Sequence, residues 1–354
     1  MEIGRIGGHP LLTLCNGVML RLSRKDGFTL SRFAIGRFER PGGSRFIGLV
    51  RGGLVCDATS VIASKDGDSV TTLIESWGRL APTLDGLAED PLVDWEPEAG
   101  LRPLPPVTPR QILQAGANYR QHVIELALHT PDKWPPEATA EDVRAFMDQL
   151  LDTRAKNGSP YCFPGLVSAL CGARDNIVLP PTAEQPDWEI ELGVVIGRPC
   201  AFVSPQEALD HVFGYTICND VTLRENVYRT DIPAMGTDWL AAKNPPTFLP
   251  TGPYLVPASM VPDTSALRLQ LSVNDETFQD GTTADMIFDV AALISYLSRT
   301  VRLLPGDLVL TGSPAGNGAT RGRFLQPGDV ISAQISGLGA QRNTCVTANE
   351  AAHS

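Results

Sequence analysis

The sequence is poor in what soft-metal and nucleophile chemistry require. Its seven cysteines, Cys15, Cys56, Cys162, Cys171, Cys200, Cys218 and Cys345, lie far apart with no Cys-x-x-Cys pair. Its five histidines, His9, His122, His129, His211 and His353, are too scattered for a His-rich site. A zinc site of nitrogen and sulfur ligands is therefore not expected, and an odd set of separated cysteines reads as reduced thiols in a cytoplasmic protein. No apolar run approaches the ~20 residues that cross a bilayer. The stretch Met1–Pro10 has a charge on each side of a broken apolar pattern and no signal-peptide core. Positive charge is also in deficit: the formal net charge is -11, which argues against nucleic acid or an anionic membrane as partner. Gly-x-Gly-x-x-Gly, a Gly-x-Lys-Ser/Thr phosphate loop and Gly-x-Ser-x-Gly are all missing, so neither a Rossmann dinucleotide site nor a serine-elbow hydrolase is expected.

What is present points to oxygen ligands. Asp187-Trp-Glu189-Ile-Glu191-Leu runs into Gly193-Val-Val-Ile-Gly197. On a strand, Glu189 and Glu191 project from one face. A solvated edge strand would explain two exposed acids, but the unbroken apolar run marks a strand covered on both sides. Buried together, two carboxylates must be protonated or hold a cation. Asp220 closes another apolar run, Gly214-Tyr-Thr-Ile-Cys-Asn219; alone, Asn219-Asp220 reads as a turn. With the two glutamates it makes a third hard ligand, which selects Mg2+, Mn2+ or Ca2+. His122 and Glu125 stand three residues apart in Asn118-Tyr-Arg-Gln-His-Val-Ile-Glu125, neighbours on a helix. By itself such a pair is an ordinary surface ion pair. Beside a metal site it reads as a general base oriented by a carboxylate.

At 354 residues the chain can hold two domains, or one large domain and a small one. Residues 1–32 read as an appendage. Residues 33–100 read as a small N-terminal β-rich domain of hairpins such as Arg45–Val50 and Gly53–Asp57. The proline-rich stretch Leu101–Pro109 marks the boundary, and residues 101–350 form the larger, catalytic domain. The clearest helix covers 139–156, with Thr139 and Asp142 as a capping box and Val143, Phe146, Met147, Leu150 and Leu151 on one face. It belongs to an insertion near 128–158, either a lid or an extra packing or dimer helix. Further helix starts are expected at Ser204-Pro205 and Asp289, and two Pro-Gly-Asp turns, at Pro305 and Pro327, feed apolar strands.

The ordered series Gly116–Tyr119 with His122 and Glu125, Asp187–Leu192, Gly214–Arg224, Lys243 before Phe248 and Thr251-Gly-Pro253, Val273-Asn274 with Gln279, Pro305–Gly316 and Leu325–Asp329 resembles the fumarylacetoacetate hydrolase family, in particular its acylpyruvate hydrolase and 2-hydroxyhepta-2,4-diene-1,7-dioate isomerase-like branch. The resemblance runs from about Phe33 to the last strand and implies an α+β fold: a mixed β-roll of the family's C-terminal type behind a small N-terminal β-rich domain, in a homodimer. It implies that Glu189, Glu191 and Asp220 bind Mg2+ or a similar ion, that His122 with Glu125 activates water, and that Arg224 and Lys243 meet the substrate's carboxylate or developing oxyanion, with Gly312 and Ser313 offering donors. The reaction implied is hydrolysis of a carbon-carbon bond in a β-diketo or acylpyruvate-type acid through a metal-stabilised enolate. Decarboxylation, isomerisation or hydration of a related 2-oxo or 2-hydroxydienoic acid is the alternative, and a catalytically silent relative the alternative of another class. The sequence departs from the family at Lys243-Asn-Pro-Pro246, Val227 and Gly165, so the substrate's hydrogen bonds are expected to differ.

Overall fold

Two glycines make the second hairpin. Gly52 and Gly53 take φ of 60° and 80°, as a two-residue turn between twisted antiparallel strands demands. They join β2 (Arg45–Arg51) to β3 (Leu54–Asp57), and β2 pairs in turn with β1 (Ala34–Glu39). The computed structural model describes residues 33–62, 69–261 and 263–352. The appendage expected over residues 1–32 lies outside them.

The strand that opened the functional reading is β6 (Ile190–Ile196), all seven of whose residues are buried. Its even positions, Leu192, Val194 and Ile196, enter one core, while Val195 enters another, as a strand covered on both faces requires. β6 lies antiparallel between β7 (Val212–Asn219) and β11 (Leu308–Leu310). β11 runs parallel to β4 (Ile112–Gly116), which pairs antiparallel with β5 (Tyr161–Gly165). On the other side, β7 pairs with β8 (Tyr254–Pro257), and β8 with β1. The main path is thus β3-β2-β1-β8-β7-β6-β11-β4-β5 within a sheet of thirteen strands. A second sheet, β10 (Glu276–Thr282), β9 (Arg268–Val273), β12 (Val330–Ile335), β13 (Gly339–Thr347) and the short strand Ile177–Leu179, packs on the first through Leu269, Leu271, Ile331 and Ile335. The fold is α+β with mixed sheets.

The segment read as a separate N-terminal domain shares this framework. Ile35 pairs with Leu255, and Arg102–Leu104, inside the proline-rich boundary, pairs with β1. Leu73 of the helix Val70–Glu75, with Leu80 and Leu84 of α1 (Trp77–Glu89), shares one core with Ile35, Val195, Phe213, Leu255 and Leu308. The described part of the N-terminal segment is an extension of the main sheet and its cover.

The helix expected at 139–156 is α3 (Ala140–Asn157), and it carries the expected Thr139–Asp142 capping box. It buries Val143, Met147 and Leu151, whereas Phe146 and Leu150 are about half exposed. The buried stripe packs on Ile124 of α2 (Arg120–Leu128), and Arg120 is paired to Asp148 and Asp152. The Ser204 start yields only Pro205–Ala208, and Asp289 caps α5 (Val290–Ser298). The turns at Pro305 and Pro327 feed β11 and β12, each through a glycine at positive φ.

Candidate active site

Period-two geometry puts Glu189 and Glu191 on the face of β6 that also carries Gly193 and Val195. Glu191 lies opposite Cys218 in β7, and Asp220 follows the end of that strand. The backbone locks the approach: Asp220 N–H donates to Glu189 O, and Glu189 N–H donates to Asn219 Oδ1, both at 2.9 Å. Carboxylate oxygens of Glu189, Glu191 and Asp220 consequently lie within 4.8 Å of one another, all three residues buried.

Three acids so close need positive charge, and the protein supplies part of it. Lys243, on the short helix α4 (Trp239–Lys243), places Nζ 2.9 Å from Glu189 Oε2 and 2.6 Å from Asp220 Oδ2. Arg224 bridges Glu189 Oε1 and Asp187 Oδ2. Burial alone would raise the Glu189 carboxyl, but the charges of Lys243 and Arg224 overcome it and hold it at about 2. Among the described residues Glu191 has no such counterion at contact. Burial, with Asp220 and Glu189 beside it, pushes its carboxyl well above the usual range. With Asp187 counted, four carboxylates face only Arg224 and Lys243, so the cluster is two positive charges or protons short of neutrality. An all-oxygen set of three acids in this condition fits a hard divalent ion, and Glu189, Glu191 and Asp220 would hold it.

The loop after β11 is gripped by acids from three elements. Gly312 N–H donates to Glu191 Oε2 at 2.7 Å, Gly316 N–H to Glu125 Oε2 at 2.8 Å, and Gly318 and Ala319 N–H to Asp187 at 2.6 and 2.9 Å. Gly312 and Gly316 take φ of 91° and 102°, which only glycine adopts without strain. The two candidate donors of this loop have partners within the protein: the Gly312 N–H donates to Glu191, and the Ser313 hydroxyl oxygen accepts from Gln279 Nε2 at 2.8 Å. Likewise, Arg224 and Lys243 are engaged with the carboxylates of the cluster.

His122 and Glu125 share α2, one turn apart, yet no hydrogen bond joins them among the described residues, because Glu125 is turned to Gly316. His122 is buried and its Nδ1 has no hydrogen-bond partner among the described residues. Burial lowers its pKa, against the pull of Glu189. The imidazole is neutral near pH 7, so it is able to take up a proton.

Sequence reasoning missed Asp187 as a site residue, although its place two before Glu189 carries the same period-two signal. It also missed Gln114, whose Nε2 donates to Asp220 Oδ1 at 2.6 Å while its Oε1 has no partner among the described residues. A lone amide within the buried strand β4 was the available sign. Gln279 joins the two sheets by accepting from Ile190 N–H and donating to Pro314 O.

With fold and site in place, comparison with known proteins identifies the class. The fumarylacetoacetate (FAA) hydrolase C-terminal family model matches residues 111–346, and the chain belongs to the fumarylacetoacetate hydrolase family. The 2,4-didehydro-3-deoxy-L-rhamnonate hydrolase of Sphingomonas sp. (strain SKA58) is 39% identical over 259 residues, covering 72% of this chain and 79% of that protein. A mitochondrial oxaloacetate tautomerase of Bos taurus is 34% identical over 246 residues, 69% of each chain. Among solved structures, maleylpyruvate hydrolase from Sphingobium sp. SYK-6, in complex with manganese(II) and pyruvate, superposes with a TM-score of 0.68 at 25% identity, covering 89% of this chain and 99% of that one. These relatives are enzymes, hydrolases and an isomerising tautomerase. No helix among the described residues is long and apolar enough to cross a membrane.

Proposed function

We propose that the protein is a divalent-metal-dependent hydrolase that cleaves the carbon-carbon bond of an acylpyruvate or related β-diketo acid. The observation that carries this reading is the buried triad Glu189, Glu191 and Asp220, within 4.8 Å, beside a buried histidine with an unpaired ring nitrogen. A divalent ion at the triad, Mg2+ or Mn2+, supplies Lewis-acid polarisation of 2-oxo acid oxygens. His122, neutral in the resting protein, takes a proton from water as the water oxygen adds to the acyl carbonyl. The bond between that carbon and the methylene breaks, its electron pair passes to the oxo acid fragment, and His122 returns the proton to the methylene carbon. The products are a carboxylic acid and a 2-oxo acid. Lys243 and Arg224 keep two fixed positive charges beside the negative charge that develops. Glu125, through Gly316, holds the loop against the helix that carries His122. The relatives support a diketo or oxo acid as substrate; a homodimer as the working unit is what the sequence resemblance implies, and sedimentation would test it.

The test follows the enol absorbance of a panel of acylpyruvates with metal-stripped protein, with and without Mg2+ or Mn2+, and identifies products by mass spectrometry. Metal-dependent loss of the enol band with release of both acids is expected. His122→Ala should abolish this turnover and still bind metal; undiminished turnover by the variant would remove His122 from its role. The bovine tautomerase favours a second reading, keto-enol isomerisation by the same base, and loss of the enol band without cleavage products would select it.

A further inference from the structure

One side of the carboxylate cluster is a wall of aromatic rings. In the main sheet Gly193, Leu310, Gln114 and Phe163 lie opposite one another across β6, β11, β4 and β5. Residues paired in this way project from the same face. Phe163 therefore stands beside Gln114, the residue hydrogen-bonded to Asp220, and Tyr161, two residues earlier, shares that face. From the other direction comes α4, where Trp239 and Lys243 are four residues apart and hence on one side of the helix. Lys243 reaches the carboxylates. Trp239 stacks flat on Phe163, with ring centroids 4.5 Å apart and planes at 12°. Its indole N–H donates to Tyr161 Oη. Leu166 N–H donates to Asn244 Oδ1 at 2.7 Å and ties the end of β5 to the end of α4. The wall grades from buried Phe163 through half-buried Trp239 to exposed Tyr161, leading outward from the metal ligands.

We propose that Phe163, Trp239 and Tyr161 seat the acyl group of the substrate, that this group is apolar and planar, an aryl or conjugated alkenyl tail, and that Trp239 sets the preference. This rests on the reading of the triad as the anchor of a 2-oxo acid. Such an acid, held at the triad by its oxo end, directs its acyl end along one wall of the site. Trp239 has only one N–H, already spent on Tyr161, so the indole presents carbon rather than donors for a polyhydroxylated tail. A planar π group gains both area burial and ring-ring contact there. The space beside Gln114 also stays open because residue 165 is glycine: a Cβ would lie 2.7 Å from Gln114 Oε1.

The test is binding to the Mn2+-loaded protein, measured by calorimetry with 2-oxo-4-phenylbutanoate and with 2-oxobutanoate, neither of which has a 1,3-dicarbonyl to cleave. The aryl acid should bind about tenfold tighter or more. Trp239→Ala should erase about tenfold of that ratio, while Trp239→Phe, which retains a ring, keeps most of it. A wild-type ratio near one, or a ratio that Trp239→Ala leaves in place, overturns the proposal. Should Trp239→Ala fail to fold, as its melting curve would reveal, Phe163→Leu reads the same ratio. Benzoylpyruvate and acetylpyruvate turnover is measured alongside. Loss of all turnover with the binding ratio intact overturns the hydrolase reading alone, and turnover without the ratio overturns the aromatic seat alone.

Discussion

Glu189 and Glu191 have the same side chain and opposite circumstances. One touches Lys243 and Arg224 and is held ionised; the other touches the Gly312 N–H and lacks a contacting cation. That asymmetry was not legible in Glu-x-Glu, because it depends on residues more than thirty positions away. His122 behaves similarly. Burial keeps its pKa below the ordinary histidine value, so the base form persists as pH falls until that lowered pKa is reached. The acid limb of kcat/KM at saturating Mn2+ is therefore expected below pH 6.5, and a limb at or above that value would contradict a desolvated base. Asp187 supplies a sharper case: fully buried, it holds Arg224 and two loop N–H groups. Asp187→Asn leaves the guanidinium with Glu189 alone. The expected result is a loss of roughly 3 kcal/mol of stability together with weaker metal binding, read by thermal melting and metal titration. Unchanged melting would show that the pair adds nothing. Glu189 and Glu191 were legible as a buried pair from period and burial, and Asp220 only in their company, whereas the partners that tune them come from the loop after β11 and from α4, which have no periodic signature.

Among the elements, the inserted helix α3 acts as a buttress. Val143, Met147 and Leu151 cover Ile124 of α2, and Arg154 Nη1 donates to Ala117 O at the entry to that helix. The proposed base, His122, therefore stands on α2, supported by α3, whereas the candidate metal ligands stand in β6, just before it and just after β7. Leu151→Ala, which opens a cavity in this satellite core at a cost of about 2–5 kcal/mol, should lower kcat and leave metal affinity nearly intact. A fall in metal affinity at constant kcat would show that the two supports are not separate. Capping and periodicity gave the helix its limits in the sequence. They misassigned Phe146 and Leu150, because a stripe drawn from five apolar residues is wider than the single helix it meets; Phe146 rests edge-on against Trp134 instead.

At the scale of the molecule, strand pairing crosses the boundary that prolines suggested. Proline at Pro103 does not prevent Arg102–Leu104 from joining β1 at the margin of its ladder. β1 itself pairs with a strand from far along the chain. Composition and turn signals report local chain behaviour, and no local signal records a partner so distant. We expect one cooperative unfolding transition for the full chain, and no cooperative transition for a fragment starting at residue 101, which would expose Val195, Phe213, Leu255 and Leu308. A fragment that melted sharply near the parent temperature would restore two independent domains.

The pairing of Ile35 with Leu255 also has a consequence in time. During synthesis at ~5–20 residues per second, the hairpins of the first strands leave the ribosome many seconds before β8 exists. Through that interval the Ile35–Gly36 part of β1 has an open hydrogen-bonding edge next to the apolar Phe33, the kind of edge that recruits other chains. We therefore expect chaperone protection or slow local folding to guard this edge until more than two hundred further residues have been made.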